Sequence, residues 1–285
     1  MTNYNQQYFT GERALFATHD ATITDSTFAA GESPLKESAN LTLRHDVFKY
    51  KYPLWYSQHV RVSDSIFETM SRSGIWYTDD ITITDSTIQA PKQFRRSGHI
   101  TLHNVHLADA QETLWHCHDI VLDHVQASGD YFGANSENIR VSHLDLVGNY
   151  AFDGAKNVEV HDATFVTKDA FWNCENVTIY DSTINGEYLA WNTKNLTLIN
   201  CTIESDQGLC YIDGLRLVNC KLLRTDLAFE YCRDIDAEVV SHIDSVKNPI
   251  SGRIIADSIG ELIQDDPHLD KRLVTIQERH SRAAS

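Results

Sequence analysis

Asn176-Val-Thr-Ile-Tyr-Asp181 and Asn195-Leu-Thr-Leu-Ile-Asn200 superimpose position for position, 19 residues apart. In both, apolar residues alternate with Thr, the period-two pattern of a strand buried on one face. In both, Asn precedes the first apolar residue, and Asp or Asn follows it by four positions. The pattern recurs along the chain. With the first apolar residue as anchor, the anchors are Ala21, Leu41, Val60, Ile81, Ile100, Ile120, Ile139, Val158, Val177, Leu196, Leu215, Ile235 and Ile254. Their spacings are 20, 19, 21, 19, 20, 19, 19, 19, 19, 19, 20 and 19. Self-similarity at so narrow a period predicts a stack of near-identical turns.

No repeat holds a ten-residue helical pattern, which disfavours leucine-rich, ankyrin and tetratricopeptide arrays. A propeller blade needs about 40–45 residues. The expected fold is therefore all-β, a single-stranded parallel β-helix of about 13 coils of 19–20 residues. Left-handed coils usually follow a strict hexapeptide period, so three unequal segments per coil predict the right-handed form. The helix is expected over residues 1–263, with an N-terminal cap at about 1–10. Residues 264–285 are expected as a tail or a short capping helix.

Composition narrows the partners. The 285-residue chain carries 42% apolar residues, an ordinary globular share, and a net charge of −16. That charge argues against nucleic acid or an anionic membrane, since both need concentrated Lys and Arg. No apolar run is long enough to span a bilayer. Met1–Phe9 lacks a basic region followed by an apolar one, so a cytoplasmic protein is expected. The six cysteines, 117, 174, 201, 210, 220 and 232, form no C-x-x-C pair and are read as thiols. Cys201 and Cys220 share a column in adjacent coils, where stacked buried thiols are favoured over a bridge.

Two columns read as turn ladders. The residue before the anchor is Asp20, Asn40, His59, Asp80, His99, Asp119, Asn138, Asn157, Asn176, Asn195, Gly214 or Asp234. Four after the anchor lie His45, Asp64, Asp85, Asn104, His124, His143, Asp162, Asp181, Asn200 and Asn219. These residues tolerate left-handed backbone and bond to neighbours. His45, His59, His99, His124 and His143 fall in the ladders, so they are read as structural. No metal site and no cofactor is expected.

One outward face departs from such rules. All five tryptophans, 55, 76, 115, 172 and 191, lie five positions before an anchor. Strand alternation points them outward, beside an inward apolar neighbour. Aromatics in a line suggest a binding surface. Trp115, Trp172, Trp191, Tyr150 and Tyr188 are expected to stack on sugar rings. Asn173, Asn192, Arg95 and Arg96 are expected to bond hydroxyl or acidic groups. Asp130, Asp153, Asp169 and Glu187 cluster toward the C-terminal half, where crowding raises one carboxyl pKa and equips an acid–base pair. Lys168 among them is a candidate base or anchor. The alternative for the acidic cluster is calcium binding through oxygen ligands. The reading is a carbohydrate-active protein, a glycosidase or lyase. The alternative is a non-catalytic carbohydrate-binding or assembly module. The expected partner is a carbohydrate or small-molecule ligand, with a homodimer also considered.

Particular segments resemble a known family. Gly31-Glu-Ser-Pro-Leu-Lys-Glu-Ser38, Tyr52-Pro-Leu-Trp-Tyr56, Gly74-Ile-Trp-Tyr77, Asp169-Ala-Phe-Trp-Asn-Cys174 and Asn248-Pro-Ile-Ser-Gly252 are similar to a bacterial domain-of-unknown-function family. That family falls within the pectate-lyase-like superfamily of right-handed β-helices. The resemblance runs from about residue 8 to residue 263 and implies the pectin-lyase-like solenoid. It implies no reaction. The superfamily's lyase calcium sites and its Asn-Thr-Asp, Asp-Asp and Gly-His-Gly motifs are absent, so no catalytic residue carries over.

Overall fold

Alternation dictates the interior. Val177 and Ile179 point inward while Thr178 and Tyr180 stay partly exposed, and Leu196 and Leu198 do the same one turn later. Each such strand pairs in parallel with its equivalent in the next turn, with Val177 opposite Leu196 and Ile179 opposite Leu198. The computed structural model describes residues 2–279, so the end of the expected tail, residues 280–285, lies outside the described residues.

The chain divides into two compact units, Met1–Gly148 and Asn149–Ser285. In the first, the anchor ladder runs Thr2, Ala21, Leu41, Val60, Ile81, Ile100, Ile120, Ile139. In the second it runs Val158, Val177, Leu196, Leu215, Ile235, Gly252, Val274. Each unit is a parallel β-helix, as the repeat predicts.

Three features correct the sequence-derived register. Thr2–Asn5 is a strand in register with Ala21–Thr24, so the chain contributes a turn where a cap was expected. Val274–Glu278 pairs with Gly252–Ala256 and adds a turn at the other end, preceded by a single 3-10 turn at Lys271–Leu273. Thirteen anchors therefore undercount the coils. Ile254 is also not an anchor, because Gly252 lies opposite Ile235 and Ile254 opposite Ala237. A register shift between Leu217 and Cys220 accompanies this shorter coil.

Small buried residues complete the interior. Five positions after the anchor, Ser65 Oγ accepts the Asp46 N–H at 3.0 Å and donates to the Ser63 carbonyl at 2.7 Å. Three before it, Thr193 Oγ1 accepts the Cys174 N–H at 3.2 Å. Buried backbone donors are thereby satisfied between turns. Phe9, Phe28, Phe48 and Phe67 stack with centroids 4.6–4.9 Å apart, matching strand spacing. All six cysteines are buried free thiols.

Both expected ladders are present. Asn40, Asn176 and Asn195 hold φ of 55°, 58° and 55°, and Asp181 and Asn200 hold 49° and 56°. Asn176 Nδ2 donates to Asn157 at 3.1 Å, and Asn195 Nδ2 to Asn176 at 3.0 Å. Asn200 and Asn219 continue the second ladder at 3.0 and 2.9 Å. His59 bonds Asp80 at 2.7 Å within the first.

Candidate functional site

The second unit gathers ten of the expected site residues: Tyr150, Asp153, Lys168, Asp169, Trp172, Asn173, Glu187, Tyr188, Trp191 and Asn192. The first unit holds Arg95, Arg96, Trp115 and Asp130.

Asp169 is the unusual carboxyl. It occupies a left-handed corner, with φ of 57°, where the neighbouring turns carry Tyr150 and Tyr188 at φ of 57°. Its N–H donates to the Glu187 carbonyl at 2.9 Å, and the residue is 3% exposed. Burial pushes its pKa up, and the charges of Glu187 and Asp153 add to this. The Lys168 charge and a hydrogen bond from Tyr150 act the other way without cancelling it.

Its neighbours are tied in pairs. Lys168 Nζ bonds Glu187 Oε2 at 2.9 Å and sits 5.0 Å from the Tyr188 ring centre. The Glu187 bond raises the Lys168 pKa, which suits a fixed positive charge better than a base. Asn173 Nδ2 donates to Asp153 Oδ1 at 2.9 Å, and Asn192 Nδ2 reaches Asn173 Oδ1 at 3.4 Å. Asn173 and Asn192 also hold left-handed corners, φ 55° and 58°. Their column is thus a third turn ladder. Tyr56, Tyr77 and Arg96 hide it in the sequence, because they take the same conformation, φ 56°, 57° and 50°, without being Asn.

The tryptophans are half-buried and close on each other. Trp172 and Trp191 stack at 5.5 Å with an interplanar angle of 6°, and Tyr150 meets Trp172 edge-on at 6.1 Å. Trp191 Nε1 donates to the Gln207 carbonyl at 2.8 Å, and Trp172 Nε1 to Tyr188. The indole N–H groups therefore staple successive turns.

In the first unit, Arg95 lies between Trp76 and Trp115, 4.7 and 5.2 Å from their ring centres. Its guanidinium bonds Glu112 Oε2 at 2.8 Å, and Lys92 bonds Glu112 Oε1 at 3.1 Å. Burial opposes ionisation of Glu112, but the bonds from Lys92 and Arg95 outweigh it and hold its pKa low. Arg95 is thus engaged with an internal carboxylate, while Arg96 is exposed. Asp130 is half-buried, and its carbonyl accepts the Glu112 N–H at 2.8 Å.

Of the carboxyls expected as an acid–base pair, Asp169 is the one that is buried and raised in pKa. The distinguishing signal is positional, since Asp169 stands in a column that its neighbours fill with Tyr. Among the described residues, no helix is long and apolar enough to cross a membrane.

The chain belongs to the family described as protein of unknown function DUF3737, whose model matches residues 2–277. No curated protein matches it. Among solved structures, the A-module of the Azotobacter vinelandii mannuronan C-5 epimerase AlgE6 is 12% identical, with a TM-score of 0.35. That match covers 94% of this chain and 80% of the epimerase module. HetL, a pentapeptide repeat protein involved in heterocyst differentiation regulation in Nostoc sp. strain PCC 7120, is 10% identical with a TM-score of 0.25, covering 78% of this chain and 92% of HetL. PfbA, a surface adhesin of Streptococcus pneumoniae, is 10% identical with a TM-score of 0.31, covering 96% of this chain and 69% of PfbA.

Proposed function

We propose that the second unit acts on a saccharide by acid–base chemistry, with Asp169 as the proton donor. The observation that carries this reading is the Asp169 carboxyl, buried, raised in pKa, and set among Asp153 and Glu187. Glycoside cleavage needs one carboxyl that holds its proton, as a raised pKa favours, beside a second that serves as base. Protonated Asp169 gives its proton to the glycosidic oxygen as the carbon–oxygen bond breaks. Asp153 or Glu187 takes a proton from the water that adds to the sugar carbon. Asn173 and Asn192 supply amides for hydroxyl groups. Lys168 supplies a charge for an acidic substituent. Tyr150, Tyr188, Trp172 and Trp191 border the site.

The test is turnover on a panel of neutral and uronic-acid oligosaccharides, read as new reducing ends. Asp169→Asn is expected to lower kcat by about 10²–10⁴-fold, the usual contribution of a general acid. Asp130→Asn, in the other unit, is expected to leave turnover unchanged. Equal rates for wild type and Asp169→Asn would remove Asp169 from the mechanism.

A second reading, a non-catalytic binding or assembly surface, draws on the tryptophans. Their faces cover one another and their N–H groups are committed to backbone carbonyls. A wild-type chain that binds oligosaccharides, or self-associates through this face, without turnover on any panel member would favour it.

A further inference from the structure

The paired strands Gly98–Leu107 and His118–Ser128 of the first unit carry more histidine than their ladders use. His103 and Asp123 are direct partners in register, three positions after their anchors, outside both turn ladders. His103 Nδ1 lies 2.9 Å from Asp123 Oδ2, and His124 Nδ1 lies 2.8 Å from Asp123 Oδ1. The donor atoms of these three residues all lie within 4.8 Å of one another. From the next turn, His143 Nδ1 reaches Asp123 Oδ1 at 3.1 Å, and Ser142 Oγ donates to the same oxygen at 2.8 Å.

Elsewhere in the second ladder the amide contacts are simpler, as where Asn104 Nδ2 donates to Asp85 at 2.7 Å and Asn200 Nδ2 to Asp181 at 3.0 Å. Here Oδ1 alone is approached by three groups, more than the roughly two lone pairs of one carboxylate oxygen accept well. A cation shared with the imidazole nitrogens relieves that crowding.

We propose that His103, Asp123 and His124 form a binding site for a divalent transition-metal ion of the Zn²⁺ type, with His143 and Ser142 orienting the carboxylate. Two imidazoles and a carboxylate suit zinc, copper or nickel, whereas calcium and magnesium take oxygen donors. Ligand distances of about 2.0–2.1 Å around zinc imply a donor–donor edge of about 3.3 Å in a tetrahedron. The observed nitrogen–oxygen separations of 2.8 and 2.9 Å are a few tenths shorter. All three side chains are partly exposed, at 51%, 33% and 55%, so small rotations open that space. The His103 and His124 rings are tilted by 71° with centres 5.8 Å apart, so their nitrogens can converge without the rings clashing. Three protein ligands leave a fourth position for water. The nearby trio His99, His118 and Asp119 differs, because His99 is bonded to Asp79 at 2.8 Å and His118 to Asp119 at 2.9 Å. There His99 is held by Asp79 through Nδ1, and its Nε2 lies 3.7 Å from Asp119 Oδ2, farther than either imidazole nitrogen lies from Asp123 in the first trio.

The test is equilibrium dialysis of the intact chain against Zn²⁺, with bound metal measured by elemental analysis. Co²⁺ is used in parallel and read by its visible bands. Wild type is expected to hold one more ion per chain than the double variant His103→Ala/His124→Ala. His143→Ala is expected to weaken binding about 10–100-fold, the effect typical of an outer-sphere partner. His45→Ala, a ladder residue outside the site, is expected to change nothing. Equal metal content in wild type and the double variant overturns the proposal, as does a Co²⁺ spectrum that the double variant leaves unaltered. Asp123→Asn keeps the shape and hydrogen bonding of the aspartate and guards against misfolding of the alanine variants. Undiminished Zn²⁺ affinity in that variant also overturns the site.

Discussion

Replacing Asp46 by Ser is expected to stabilise the protein, and to do so only toward neutral and higher pH. Asp46 stands in the inward column that Ser26, Ser65 and Ser86 occupy in neighbouring turns, and it is fully buried. Its Oδ1 accepts the Ser26 N–H at 2.8 Å, which is what a serine would do there. Its Oδ2 is buried without a partner. Burial pushes the carboxyl pKa from 3.8 up to about 7, against the pull of backbone hydrogen bonds at Ser26 and Arg44, with the Asp25 charge adding a little.

The sign follows from linkage. A carboxyl with a raised folded-state pKa favours folding fully below the unfolded value, and that contribution is lost as pH rises through the folded value. Between 3.8 and about 7 the loss accumulates to about 4 kcal/mol, at 1.36 kcal/mol per pH unit. Asp46→Ser removes the carboxyl and keeps the backbone acceptor, as Ser65 shows by receiving the Asp46 N–H at 3.0 Å. The gain over wild type should therefore be small near pH 4 and approach about 4 kcal/mol at pH 8. Urea titrations of both proteins at pH 4, 6 and 8 measure it. A midpoint difference that does not grow with pH, or a variant less stable than wild type at pH 8, refutes the reasoning.

Other consequences are more direct. Phe48 is fully buried between Phe28 and Phe67, at 4.8 and 4.6 Å, so Phe48→Ala should destabilise by about 3–5 kcal/mol in urea titration. Asn195→Ala should cost about 1–3 kcal/mol in the same assay, combining a lost hydrogen bond with left-handed strain. Asn195→Gly should cost less, because glycine accepts that conformation. Burial pushes the Cys117 and Cys174 thiols up to about 12, so neither should react with a thiol reagent at pH 8 until the protein unfolds. Rapid labelling of the native protein at either position would contradict the packing.

What the sequence makes legible is what the backbone constrains by residue type. Asn176 and Asn195 announce their corners because asparagine tolerates the φ of 58° and 55° they must adopt. Val177 and Leu196 announce the interior because a buried strand admits little else. The terminal turns carry no such mark, for the opposite reason. Thr2–Asn5 pairs with its neighbour through backbone while staying largely exposed, so no apolar anchor marks it. The Gly252 coil is hidden because its alternation continues two residues further, and Ile254 mimics an anchor. Side-chain bonds to a backbone carbonyl of the next turn leave little sequence trace. A carbonyl accepts the Trp191 N–H whatever residue carries it, so the stapling of the tryptophan column is invisible until Gln207 is seen to supply one. The two chemically distinctive places were nonetheless written as departures from column habit. Asp169 stands where Tyr150 and Tyr188 flank it, and His103 stands opposite Asp123 although neither belongs to a turn ladder. In a repeat whose columns are set by backbone geometry, a residue that differs from its column neighbours at the same backbone conformation is the one whose chemistry calls for a separate explanation.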